Sequence, residues 1–109
     1  MNDVTEVLTE ARNLISEPEH WIQGVYARDA QGLPTDWGSP EAVCWCVTGA
    51  ILKAAAAIQE QSIEHHALVM RSIKELMSGI DSNIYTFNDC HNHAEVMAAF
   101  DKAITEKKV

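Results

Sequence analysis

Two short stretches and one turn hold most of the side chains able to do chemistry. The densest is Asn88-Asp89-Cys90-His91-Asn92-His93. His91 and His93 could ligate a metal with Asp89 or Cys90, and His91 could equally act as a general base oriented by Asp89. The competing reading is turn and cap chemistry, because Asn and Asp bond nearby backbone groups where an extended segment enters a helix. Cys44-x-Cys46 invites a metal or redox reading. On a helix, residues two apart point about 160° from each other. The two thiols could not then grip one ion, and they read as small buried hydrophobes. Arg28-Asp29 could bind a ligand, form an ion pair or cap a turn. In His65-His66, His66 falls on an apolar stripe, which favours a hydrogen-bonded, half-buried histidine over a ligand. No metal site and no cofactor is expected. Phosphate-binding glycine loops, Gly-x-Ser-x-Gly, His-Glu-x-x-His and Cys-x-x-Cys do not occur in the sequence.

The elements that would position these groups are mostly helical. Residues 3–15 carry Val4, Val7, Leu8, Ala11, Leu14 and Ile15 at helical spacing, with Asp3 and Glu6 at capping-box distance. Pro18 ends that pattern. The stretch near residues 20–36 is rich in aromatic and β-branched residues around an Asp29-Ala30-Gln31-Gly32 turn. It reads as a short β-hairpin whose second strand is restricted by Pro34. Ser39-Pro40-Glu41 is a helix start signal, and a helix over 39–58 would be apolar on both faces. Val43, Val47, Ala50, Ile51, Ala54 and Ile58 lie on one face, and Trp45, Leu52 and Ala56 on the other. Such a helix is buried all round and central. Gly49 in its middle suggests a close approach by another backbone.

A break near residues 59–62 leads into a second helix. Its stripe is His66, Val69, Met70, Ile73, Leu76, Met77 and Ile80, with Gly79 as C-cap. Ile84-Tyr85-Thr86-Phe87 reads as a short strand or extended segment. The last helix starts near Asn92, with Glu95 at capping-box spacing and Lys107-Lys108 at the end the helix dipole favours for cations. The expected fold is mainly α: about four helices around a buried central helix, with a short β-hairpin, in a single domain over 1–109.

The 109 residues carry 16 acidic and 8 basic side chains, a formal charge of -8. That balance argues against general nucleic-acid binding, which needs a basic face, and against docking on an anionic membrane. The longest apolar stretch, around Ala50–Ile58, is too short for a bilayer and contains Lys53. Three cysteines, Cys44, Cys46 and Cys90, with no apolar leader at the N-terminus, point to a reducing cytoplasm and free thiols. A homodimer is plausible.

Several pieces occur together in a familiar order. They are Trp21-x-Gln23-Gly24-x-x-Ala27-Arg28-Asp29, Gly32, Ala42-x-x-Trp45-Cys46-x-x-Gly49-Ala50, Phe87-Asn88-Asp89, His93-Ala94-x-Val96 and Phe100-Asp101-x-Ala103-Ile104. The chain resembles a family of short uncharacterised bacterial and phage proteins from about residue 5 to 105. The resemblance implies a helical domain and phage or mobile-element origin, and it implies no activity.

Two functional expectations follow. One is a non-enzymatic interaction or accessory module with a protein partner, using aromatics at Trp21, Tyr26 and Trp37. The other is a small ligand binder or enzyme using Arg28, Asp89 and His91. Arg28, Asp29, Asn88 and Asp89 are expected to meet beside Trp45, Cys46 and Gly49, as a polar clasp or as the floor of a pocket.

Overall fold

The computed structural model describes residues 3–59 and 62–107. Among these, five α-helices surround one core: α1 (Asp3–Leu14), α2 (Val47–Ile58), α3 (Ser62–Leu76), α4 (Ile84–Cys90) and α5 (His93–Lys107). A 3-10 turn at Pro18–His20 precedes two short antiparallel strands, β1 (Ala27–Arg28) and β2 (Cys44–Trp45). The expected break between the central helices is bracketed by Ile58 and Ser62, and residues 60 and 61 lie outside the described residues. Lys108, at the expected cationic helix end, also lies outside them, as does the side chain of Lys107.

The central helix is present, but it starts at Val47 rather than at Ser39, and it is not buried all round: residues 47–51, Ala54 and Ala55 are buried, Leu52 and Ala56 half-buried and Ala57 exposed. The Ser39-Pro40-Glu41 signal makes one local turn: Ser39 Oγ accepts from the Glu41 N–H at 3.1 Å, and the Ser39 carbonyl accepts from Ala42. It does not propagate, because Cys44-Trp45 gains a ladder partner in the extended form. Ala27 pairs with Trp45, and Arg28 with Cys44. Val43, expected on a buried helix face, is therefore exposed. Cys46 takes over as N-cap, its sulfur accepting from the Gly49 N–H at 3.4 Å. The helical argument separating Cys44 from Cys46 no longer applies, yet both thiols are free and buried.

The strand pairing also differs in detail from a hairpin confined to 20–36. Arg28 and Pro34 do form an antiparallel bridge, and Thr35 donates to Ala27 at 3.0 Å. The longer ladder of β1, however, is with β2, across the loop.

Helix α4, one more than the four expected, is the segment that reads from sequence as a short strand or extended. Asn83 Oδ1 accepts from the Thr86 N–H at 2.9 Å, so a side-chain cap starts α4 in spite of the β-branched and aromatic content of Ile84–Phe87. At α5 the expected capping box is complete. Asn92 Oδ1 accepts from the Glu95 N–H, and Glu95 Oε1 accepts from the Asn92 N–H.

On α3 the buried face is turned by about one residue from the expected stripe. Leu68, Val69, Ser72 and Leu76 are buried, while His66 and Met70 are exposed. It is His65 that is half-buried, stacked on Trp37 and donating to the Leu52 carbonyl at 3.1 Å.

The core gathers Val7, Leu8 and Ala11 of α1, Ala50, Ile51 and Ala54 of α2, and Val96 and Phe100 of α5. Gly49 sits against the backbone of Tyr26, so close that a β-carbon there would collide with the Tyr26 carbonyl. The loop from Trp21 to Tyr26 is thereby pressed onto the first turn of α2. That contact places the loop beside α4 and forms one wall of the site.

Candidate functional site

Asn88 ties three parts of the chain together. Only 2% exposed, its Oδ1 accepts from the Trp21 indole N–H at 2.8 Å and from the Val47 backbone N–H at 2.9 Å. Its Nδ2 donates to the Ile22 carbonyl and to Asp89 Oδ1, both at 3.1 Å. The carboxamide uses both donor hydrogens and both acceptor positions. One Val47 N–H that the first turn of α2 leaves unpaired finds its partner there.

The loop Trp21–Gly24 is built to match. The Gln23 amide lies within 3.0–3.2 Å of the carbonyls of Asn88, Asp89 and His91, the end of α4 where carbonyls lack helical partners. The Gly24 N–H donates to Asp89 Oδ1 at 3.2 Å, with Gly24 at a φ of 88° that favours glycine. Trp21 and Asn88, and Gly24 and Asp89, are thus partners across the fold.

These fixtures frame a pocket of about 440 Å³ at the N-terminal end of α2. Its walls come from Gly24, Val25 and Tyr26, from Pro34 and Thr35, from Cys46 and Thr48, and from Tyr85, Asn88 and Asp89. The Tyr26 and Tyr85 hydroxyls are 3.1 Å apart and their rings are tilted at 50°. Thr48 is 4% exposed, and its hydroxyl has no hydrogen-bond partner. Burial pushes the Cys46 thiol above its ordinary pKa; N–H groups of Gly49 and Thr48 pull it partly back, and the Asp89 carboxylate raises it again. Tyr26 is also held high, first by its hydrogen bond with Tyr85, then by burial and by the charges of Tyr85 and Cys46.

Of the residues singled out from sequence, Asn88 and Asp89 converge beside Cys46 and Gly49, and Tyr26 joins them. Arg28 and Asp29 do not. Arg28 Nη1 donates to the Gly32 carbonyl at 2.7 Å, and Asp29 Oδ1 accepts from the Gln31 and Leu33 N–H groups, so both hold their own turn. His91 donates to the Phe87 carbonyl at 2.9 Å, and His93 to the Ile15 carbonyl at 2.7 Å. Trp21 faces Asn88 and His93, and Trp37 faces His65. No group of three His, Cys, Asp or Glu side chains among the described residues could hold a metal. No helix among them is long and apolar enough to cross a membrane.

Cys46 is expected beside the site from sequence, whereas Thr48, Tyr85, Val25, Pro34 and Thr35 are lining residues that the sequence does not single out for it. For Thr48 a signal existed: it is a polar residue in the otherwise apolar first turns of α2. Tyr85 was hidden by the assignment of its segment as extended.

Residues 1–106 match a family of unknown function, DUF6197. The chain belongs to that family. No curated protein and no solved structure matches it. The site of this DUF6197 chain is therefore read from its own geometry.

Proposed function

We propose that this DUF6197 chain is a small-molecule-binding domain. The observation that carries the reading is the concave pocket at the start of the buried helix α2, lined in part by Thr48, whose buried hydroxyl has no hydrogen-bond partner among the described residues. Its volume of about 440 Å³ lies in the range of small-ligand sites. Its frame is held by groups already committed to the fold: the Asn88 carboxamide, the Gln23 amide and the Gly24 N–H. A rigid frame lowers the ordering cost of binding.

Binding rather than nucleophilic catalysis is favoured by the state of Cys46. A nucleophilic thiol needs a lowered pKa or an adjacent base. Burial and Asp89 act in the opposite direction on this thiol, and the His91 and His93 nitrogens described above are spent on backbone carbonyls. The free thiols Cys44, Cys46 and Cys90 support a cytoplasmic setting.

The test is a fragment screen on the isotope-labelled chain, with acidic, basic and neutral compounds, read by backbone amide shifts. Binding should move Gly24, Val25, Thr48 and Asp89 as a group. A library in which no compound moves that group overturns the reading.

A further inference from the structure

We propose that the pocket takes a small organic cation, an ammonium nitrogen carried on a compact apolar body. This rests on the binding reading above and adds the chemical class of the ligand. Asp89 is the charged residue of the wall, and no Lys, Arg or His lines it. One Asp89 oxygen, Oδ1, is occupied by Gly24 and Asn88. The other, Oδ2, makes no hydrogen bond or ion pair to any described residue and can accept a charge-assisted bond from a ligand N–H. Tyr26 and Tyr85, with ring centroids 6.4 Å apart, both line this pocket, and aromatic rings attract cations. Val25 and Pro34 contribute apolar surface for the rest of the molecule.

The surroundings agree in sign. The Asp89 carboxylate is one of the groups that raise the Cys46 thiol, so its negative charge is felt inside the pocket. The formal charge of -8 on the chain draws cations toward it and repels anions. An anionic ligand would have to displace the influence of Asp89 with no cationic side chain in the wall to receive it.

Three probes with one phenyl ring separate the possibilities: 2-phenylethylamine, 2-phenylethanol and phenylacetate, each titrated into the full labelled chain at neutral pH. The amine should move the amides of Gly24, Thr48 and Asp89, bind about tenfold more tightly than the alcohol, and weaken as salt is raised. Phenylacetate should leave those amides in place. Asp89→Asn keeps an oxygen to accept from Gly24 and should keep the melting temperature, yet bind the amine about tenfold more weakly. Tyr85→Leu should weaken the amine more than the alcohol. Equal binding of amine and alcohol, or an unchanged amine affinity in Asp89→Asn, overturns the cation inference and leaves the binding reading standing. Silence from all three probes and from the wider fragment library overturns both.

Discussion

The Trp21 indole N–H donates to Asn88 Oδ1 at 2.8 Å across 67 residues of chain. This bond joins the loop after the 3-10 turn to α4, and the same oxygen holds the first N–H of α2. The sequence suggests either a clasp or a pocket floor that includes Arg28 and Asp29, but those two side chains hold their own turn instead. Asn88 is the clasp, and Asp89, its neighbour in sequence, has the carboxylate oxygen left for a ligand.

Asn88→Ala should therefore be severe. It orphans the buried Val47 N–H and the partly buried Trp21 indole N–H and Ile22 carbonyl; a fully buried orphan costs about 1–3 kcal/mol and a partly buried one less. A loss of about 3 kcal/mol or more is expected in urea unfolding. Asn88→Asp should not rescue it, since a carboxylate lacks the donor for Ile22 and adds a buried charge beside Asp89. Arg28→Ala, which removes one bond at a half-buried turn, should cost about 1 kcal/mol.

Gly49→Ala tests how tightly the loop is pressed on α2. Alanine is the better helix former by about 1 kcal/mol. Here its methyl group would meet the Tyr26 carbonyl, which is itself bonded to the Cys46 N–H at 3.2 Å. Backbone cannot move aside as a flexible side chain does, so overpacking wins. A net loss of about 2 kcal/mol is expected, seen as a lower melting temperature by circular dichroism.

The helices were legible wherever a face or a cap spoke alone, as in the stripe of α1 and the Asn92–Glu95 box of α5. They were misread where two local signals competed. Ser39-Pro40 signals a helix start, but Cys44-Trp45 finds a strand partner in Ala27-Arg28, a contact set by residues far along the chain. Ile84-Tyr85-Thr86-Phe87 favours a strand by composition, but the Asn83 cap decides for helix. The pocket was legible only in part. Asn88 and Asp89 stood out as a polar cluster beside Cys46, whereas Thr48 and Tyr85 become site residues only once α2 begins at Val47 and α4 is helical.

Alkaline pH should destabilise the fold through Cys46. Its pKa is raised in the folded chain, chiefly by burial. The sign follows from linkage: the unfolded thiol ionises first, near its ordinary value of about 8.5, while the folded thiol keeps its proton. The stability is complete below that value and is lost as pH rises toward the folded pKa. Tyr26, raised in the same direction, adds to the loss at higher pH. Urea midpoints should fall from pH 8 to pH 10. In Cys46→Ser, whose hydroxyl caps α2 without titrating in this range, they should fall less.

Thr48→Val separates stability from binding. The Thr48 hydroxyl is buried and unpartnered, which costs the fold about 1 kcal/mol or more. Valine fills the same space without the polar atom, so the free protein should gain about that much in urea unfolding. Its β-branched shape keeps the wall of the pocket near its present form. If the hydroxyl serves a ligand, the more stable variant should bind 2-phenylethylamine more weakly than the parent chain, and the affinities should move opposite to the stabilities. A variant that gains stability with unchanged affinity would assign the hydroxyl no part in binding. A variant that loses stability would mean that the hydroxyl has a partner in solution, which removes the unpartnered group on which this reading of Thr48 stands.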